Sequence, residues 1–233
     1  MLTDPLSGNN PDRYPKDRLV NLITGLELLS IGTSFHDFNK YGSNISGEET
    51  ASMEKGYTLD LLFGDIFYSR AVIYLLKFRD HMVFDSILEA LKRLHESRLK
   101  LHLIIQDLLE TKGDPSAIGK DRKLLIDANR LLYISFMVGQ GLYGIFNPIK
   151  RDHLARIIEH ILVYKTYGEL MEYARSLPGI ALASPISTYL KKNMLDASSQ
   201  TREILQKTGD NVMQDSLNLI LKAFPKTGSQ PGR

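Results

Sequence analysis

His36 and Asp37 are adjacent, and they are the first residues in the sequence whose side chains together could belong to a metal site. A metal-dependent phosphohydrolase of the His-Asp type needs a further His upstream and an Asp well downstream, because imidazole and carboxylate groups together complete its metal shell. No His precedes His36 in this chain. The inventory of residues therefore excludes that class of enzyme.

Two other pairs of histidines are spaced seven residues apart, His95 with His102 and His153 with His160. Zinc ligands on one helix are usually four residues apart, and they need a third ligand nearby. Neither pair meets this requirement, so we interpret these histidines as polar residues packed within a helical bundle or at an interface. The absence of Cys excludes disulfides, zinc–thiolate sites and thiol catalysis.

The remaining sequence patterns do not form a recognisable active site. Gly139, Gly141 and Gly144 are not followed by the Lys-Ser or Lys-Thr pair that completes a phosphate-binding loop. Spacing alone nominates no Ser/His/Asp set. The 29 basic and 27 acidic residues nearly balance, so charge gives no reason to expect binding to nucleic acid or to an anionic membrane.

Apolar residues recur at helical spacing along nearly the whole chain, which predicts an all-α protein. The hydrophobic content of 43% is sufficient for a packed core. Long helices joined by short loops favour a helical bundle, and the stretch 58–78 is apolar enough to be buried on several sides. The predicted helices cover about 19–29, 58–78, 83–110, 120–146, 151–177, 186–207 and 210–224. A polar loop that holds a short surface helix is predicted over 42–56, and a break at Gly113–Pro115.

The helical pattern predicts one main domain over residues 18–224, of which 178–224 could form a C-terminal appendage. Residues 1–17 are polar with three prolines, and we expect a flexible N-terminus rather than a signal peptide. The Gly, Pro and Lys content of 225–233 predicts a disordered tail. No apolar run reaches the roughly 18 residues of a membrane span, so we expect a cytoplasmic protein without a transmembrane segment.

Two stretches in the first third of the chain resemble motif helices of the trans-polyprenyl diphosphate synthases. Leu26–Asp37 is similar to the helix in which an apolar turn leads into the first aspartate-rich motif, H-D-D-x-x-D. Leu62–Ala71 is similar to the family's L-x-G-D-[YF]-L-x-x-[RK]-A helix. A looser match covers Leu125–Leu142, where Asn129 and Arg130 stand at the positions of the family's Lys-Thr pair.

The departures from the family's pattern remove its metal ligands. Asp37 is the one aspartate of the first motif that is kept, while Phe38 and Tyr41 occupy the other two aspartate positions. The family binds Mg²⁺ through these carboxylates in order to ionise an allylic diphosphate. The stretch Asn147–Tyr173 lacks the second aspartate-rich motif, and Asp12–Arg18 does not match the family's Gly-Lys-Arg segment.

This combination resembles the small component, component I, of bacterial heterodimeric heptaprenyl and hexaprenyl diphosphate synthases. The resemblance implies a reduced isoprenoid synthase-like helical bundle that is inactive alone and is needed for the activity and product length of a catalytic partner in menaquinone side-chain synthesis. It implies that Mg²⁺ belongs to the catalytic partner and that the motif helices form a large apolar interface. One alternative is an independent enzyme that uses a similar pocket without the usual motifs, although no replacement cluster of carboxylates or bases is visible in the sequence. The other is a stand-alone helical module, derived from the same fold, that binds a lipid or a protein.

The resemblance also assigns roles to individual residues. His36, Asp37, Phe38 and Tyr41 form the degenerate aspartate-rich motif, and no residue is expected to be catalytic or to bind a metal. Gly64 and Asp65 are expected to be structural, Gly64 by allowing two helices to approach and Asp65 by pairing with a backbone or basic group. The residues expected to contact the prenyl chain or the partner are Phe35, Phe38, Tyr41, Phe63 and Phe67.

Overall fold

The computed structural model describes residues 16–36, 50–142, 148–177 and 184–208, and every regular element in these ranges is a helix. The all-α prediction is therefore confirmed. The elements are α1 (Lys16–Phe35), α2 (Thr50–Phe78), α3 (His81–Thr111), a 3₁₀ helix (Pro115–Gly119), α4 (Arg122–Asp127), α5 (Arg130–Leu142), α6 (Pro148–Ser176) and α7 (Pro185–Thr208). The predicted helix at 210–224, the tail at 225–233 and residues 1–15 lie outside the described residues.

Helices α1 and α2 pack antiparallel, with their backbones close together at glycine positions. A Cβ atom built on Gly25 would lie 2.6 Å from the side chain of Leu75, and one built on Gly32 would lie 2.6 Å from the ring of Tyr68. The contact position moves forward along α1 and backward along α2, which defines the antiparallel direction. Because packed carbon atoms do not approach to 2.6 Å, these two positions of α1 require glycine for the helices to pack this closely.

One side of α2 is buried and the opposite side is open, so the prediction that this helix is buried on several sides was wrong. Ala71, Leu75 and Phe78 are at most 2% exposed. Six large apolar residues of α2 are between 46% and 54% exposed: Leu59, Leu62, Phe63, Ile66, Ile73 and Leu76. The helix also begins at Thr50, within the predicted polar loop.

The start of α1 is tied to the end of α2 by an arginine. The Arg18 guanidinium donates from Nε to the carbonyl of Phe78 at 2.7 Å and lies 5.3 Å from the centre of that ring. A cation at a helix C-terminus stabilises the carbonyl groups that have no partner within the helix. The chain then turns through Arg79, which adopts a left-handed conformation with φ of 59°, and Asp80 caps α3 by accepting from the Val83 amide.

Helix α3 connects two hydrophobic cores through one stripe of buried residues at three- and four-residue spacing. Its first half, through Leu94, packs with α1, α2 and α5. Its second half, from Leu101, packs with the 3₁₀ helix, α4, α6 and α7. Helix α7 contributes Ile186, Leu190, Met194 and Ala197 to this second core. Between the two halves the stripe contains the buried polar residue Ser97.

The predicted helix over 120–146 is divided in the structure, and this prediction was wrong at its centre. Helix α4 ends at Asp127, and Ala128 and Asn129 form a turn before α5. The backbone amide of Asn129 donates to the carbonyl of Ile126 at 3.1 Å, which is three residues earlier instead of the four of an α-helix. The carbonyl of Ala128 accepts from Nε of Arg98 at 3.0 Å instead of continuing the helix. A residue of α3, distant in sequence, therefore supports this break.

The same Gly→Ala substitution should have opposite effects at two helix positions. Gly25→Ala should lower the free energy of unfolding by about 1–2 kcal/mol, because its methyl group overlaps the buried Leu75 and this outweighs the gain in helix propensity. Gly168→Ala in α6 should raise it by about 0.5–1 kcal/mol, because its Cβ would meet only the Met194 sulfur at 3.7 Å. Urea denaturation of both variants measures the difference, and equal effects would contradict the close α1–α2 packing.

Candidate functional site

The described part of the motif residues lies where the end of α1 meets the middle of α2. Phe35 and His36 come from α1, and Phe63, Gly64, Asp65 and Phe67 come from α2. The antiparallel pairing brings these two stretches together although about thirty residues separate them. Asp37, Phe38 and Tyr41 lie outside the described residues, so their predicted roles stay predictions.

Three phenylalanines form an aromatic cluster, defined here as Phe35, Phe63 and Phe67. The ring of Phe35 stacks on that of Phe67, with centroids 5.6 Å apart and planes 8° apart. It also contacts the ring of Phe63 at 5.9 Å with a tilt of 37°. Phe35 and Phe67 are half-buried, while Phe63 is 48% exposed. The cluster offers an apolar surface without a reactive group.

Gly64 makes room for the ring of His36. A Cβ atom on Gly64 would lie 2.5 Å from Cδ2 of His36, so any side chain there would displace the imidazole. The ring stacks on Tyr68 with centroids 4.9 Å apart. Its Nε2 lies 3.3 Å from Oδ1 of Asp65, within ion-pair distance but without the alignment of a hydrogen bond. Because Asp65 is 69% exposed, this contact contributes little to stability.

Tyr68 extends the contacts of this region to α3. Its hydroxyl lies 3.0 Å from Nε2 of His95, which is within hydrogen-bond distance. Burial raises the pKa of Tyr68 to about 12, with a smaller opposing effect from the Arg98 charge and a smaller reinforcing effect from Asp65. The phenol therefore stays protonated at neutral pH. It serves as a neutral hydrogen-bonding group between α2 and α3 rather than as a base.

His95 and His102 have separate surroundings in the structure, and the side chain of His153 lies outside what the structure describes. His102 stacks on Tyr173 with centroids 4.2 Å apart, whereas His95 is exposed and faces Tyr68. Nδ1 of His160 lies 3.3 Å from the guanidinium of Arg122. Burial lowers the pKa of His160, and the Arg122 charge lowers it further. Within residues 16–36, 50–142, 148–177 and 184–208, no group of three or more His, Cys, Asp or Glu side chains could hold a metal ion.

A polar cluster that sequence reasoning did not assemble lies between α3, the α4–α5 turn and α6. It consists of Arg98, Asn129, Lys165, Thr166 and Glu169. The amide nitrogen of Asn129 donates to the Thr166 hydroxyl at 2.8 Å and to Oε2 of Glu169 at 2.9 Å. Oγ1 of Thr166 donates in turn to a backbone carbonyl of α4 at 2.7 Å. Asn129 and Thr166 are buried, and these bonds give partners to the side-chain NH₂ group of Asn129 and to the hydroxyl of Thr166.

Two cations hold Glu169 of the polar cluster in its ionised form. Burial acts to raise the pKa of Glu169, but the Lys165 and Arg98 charges and the hydrogen bonds from Lys165 and Asn129 outweigh it, so the pKa lies below its ordinary value. Lys165 bonds Oε1 directly, and Nη2 of Arg98 lies 3.8 Å from the same oxygen. The Glu169 charge is therefore compensated within the cluster.

The cleft beside the polar cluster is too small for an organic ligand. Arg98, His102, Thr166 and Glu169 line it together with apolar side chains, and its space suits about one water molecule. The polar cluster consequently acts as packing between α3, α4 and α6. Its members span 71 residues of sequence, from Arg98 to Glu169. Of these members, Asn129 alone was singled out from the sequence, through the looser resemblance over Leu125–Leu142.

Comparison with known protein families, with curated proteins and with solved structures found no match to this chain. Among the described residues, no helix is both long enough and apolar enough to cross a membrane.

Stability should depend on pH through Glu169. A carboxyl group whose pKa is lowered by folding stabilises the folded state above its unfolded pKa, and this stabilisation is lost as the pH falls through the folded pKa. We expect the free energy of unfolding to decrease below about pH 4.5, the ordinary value for this group. Chemical denaturation between pH 6 and pH 3 should show a shallower decrease of the free energy of unfolding for Glu169→Gln than for the control Glu110→Gln, a substitution at an exposed position. The same pH dependence in both variants would contradict this role.

Proposed function

We propose that this chain is the non-catalytic regulatory subunit of a heterodimeric long-chain trans-polyprenyl diphosphate synthase. In this proposal a catalytic partner binds the Mg²⁺ ions and both diphosphates in the cytoplasm, and the product supplies the menaquinone side chain. The observation that carries the proposal is the juxtaposition of the two motif-like stretches, with His36 packed over Gly64 and Phe35 packed against Phe63 and Phe67.

The chemistry of the substituted positions supports a non-catalytic role. Ionisation of an allylic diphosphate requires divalent cations held by several carboxylates. Asp37 supplies one carboxylate, whereas Phe38 and Tyr41 supply aromatic rings at the positions where the resemblance calls for aspartates. A single carboxylate is too few to hold the metal cluster, so the proposal assigns the condensation step to the partner.

The aromatic cluster supports a role in partner contact or in contact with the product. Phe63 is 48% exposed beside the half-buried Phe35, so apolar surface remains open where the motif helices meet. A growing prenyl chain needs only such a wall, because each buried CH₂ group contributes about 0.8 kcal/mol. A partner helix covering the aromatic cluster would gain by the same effect, and the regulatory subunit would thereby limit the volume available to the product.

The direct test is a condensation assay with farnesyl diphosphate, isopentenyl diphosphate and Mg²⁺. It compares this chain alone, a catalytic subunit with two intact aspartate-rich motifs alone, and the mixture. We expect long-chain product only in the mixture. Activity of this chain alone would reveal an unrecognised catalytic site, and equal rate and product from the partner alone would favour the stand-alone lipid- or protein-binding module.

Phe35→Asp should reduce the activity of the mixture by at least about tenfold, because it places a charge in the aromatic cluster that the proposal buries against the partner or the product. Met82→Asp is the control, since Met82 is 67% exposed at the start of α3, away from the cluster. Circular dichroism verifies that both variants are folded. If both variants support full activity, the aromatic cluster does not take part in the complex.

Restoring the aspartates of the first motif should not create an enzyme. The double variant Phe38→Asp, Tyr41→Asp of the isolated chain should show no condensation activity, because the stretch Asn147–Tyr173 lacks the second aspartate-rich motif. The same assay measures this, with the mixture as the positive control. Measurable condensation by the double variant alone would mean that the remaining machinery of a synthase is present.

A further inference from the structure

The open side of α2 carries a regular row of exposed side chains, named here the outer seam: Leu59, Leu62, Ile66, Ser69, Ile73 and Leu76. Its five apolar members are between 46% and 54% exposed, and Ser69 is exposed as well. The inner side of the same helix is already covered by α1. A contiguous exposed apolar row of this size usually marks an interaction surface.

The spacing of the outer seam indicates that its occupant is an α-helix. Its positions follow one another at intervals of three, four, three, four and three residues, which are the a and d positions of a heptad repeat. A hydrocarbon chain or an extended peptide does not require this spacing. Another helix does, because a and d side chains insert between the side chains of the facing helix.

The residue types at the two positions favour a parallel pair of identical helices. Leu59, Ile66 and Ile73 occupy the a positions, and Leu62 and Leu76 occupy two of the three d positions. Branched Ile at a combined with Leu at d is the composition that favours a parallel two-stranded coiled coil. Ser69 occupies the central d position, and a polar residue there disfavours registers in which it would face an apolar side chain, at some cost in stability.

The charges beside the outer seam complement those of a second copy. Asp65 lies at a g position and Arg70 at the following e position, and both are exposed. In a parallel pair each g residue faces the next e residue of the other helix, so Asp65 of each copy would meet Arg70 of the other. In an antiparallel pair e faces e and g faces g, and no opposite charges meet. The charge pattern is therefore self-complementary in one direction only.

We propose that the outer seam binds a second copy of this chain, with the two α2 helices parallel about a twofold axis. Each a or d residue then faces its own equivalent, and Asp65 of each copy faces Arg70 of the other, so the same patch of both copies forms the interface. This inference does not rest on the proposed function, because the outer seam and the aromatic cluster consist of different side chains. If both hold, two regulatory subunits joined at the outer seam would each bind one catalytic subunit.

Light scattering after size-exclusion chromatography of the isolated full-length chain tests the inference, with an expected mass twice the 26.4 kDa of one chain. Ile66→Lys should raise the dissociation constant of the dimer at least about 100-fold, because it buries a charge at a central a position. Leu103→Lys on α3 is the matched control, since both residues are 54% exposed, and it should leave the dimer unchanged.

Charge reversal tests the pairing of Asp65 with Arg70. Asp65→Arg and Arg70→Asp should each weaken the dimer by up to about tenfold, since each change places like charges together at two symmetric sites. The double variant should regain the affinity of the original chain, because both partners of each pair are then exchanged. Weakening without recovery in the double variant would overturn the parallel arrangement.

The direction of the pair is tested by a single cysteine, since the chain has none of its own. Ser69→Cys should form a disulfide-linked dimer on mild oxidation, because position 69 faces itself only in the parallel arrangement. A non-reducing denaturing gel detects this linked dimer, and Leu103→Cys should run as a monomer in it. A wild-type chain that is monomeric at every concentration in light scattering would overturn the inference. In that case, loss of the mixture's condensation activity in Ile66→Lys would assign the outer seam to the catalytic subunit.

Discussion

The close approach of α1 and α2 is the constraint on which the described structure depends most. Gly25 and Gly32 leave space for Leu75 and Tyr68, and Gly64 leaves space for His36, so the two helices interlock over most of the length of α1. This packing covers the inner side of α2 from Gly64 to Leu75. It also sets the position of the aromatic cluster at the end of α1 and directs the outer seam away from the core.

Helix α3 connects the α1–α2 pair to the helices of the second half of the chain. Its buried stripe is apolar at both ends and polar at Ser97, beside the point where Arg98 reaches across to Ala128 and Glu169. Buried polar groups without hydrogen-bond partners are costly in free energy. The hydrogen-bonded polar cluster therefore favours the observed arrangement of α3, α4 and α6 over arrangements in which these bonds are lost. The Arg98 charge also acts on the pKa of Tyr68, which links the polar cluster to the motif region.

The faces of α2 have different physical roles. The inner face is buried and packs against α1, and the flank with Phe63 and Phe67 carries the aromatic cluster. The outer seam is mainly apolar and has heptad spacing. A helix that is apolar nearly all round is usually buried on several sides. One neighbouring helix therefore leaves much of its apolar surface exposed. The proposed function and the proposed self-association give different occupants to the flank and to the outer seam.

The sequence alone determined the helical class and most helix limits, because helical periodicity, capping residues and proline breaks are local properties. The limits of α3, α6 and α7 agree with the prediction within about three residues. Only the tertiary structure decided which side of α2 is covered, since its apolar residues occur nearly all round. The break at Ala128 and the partners of Glu169 likewise depend on Arg98, which packing brings near from thirty or more residues away.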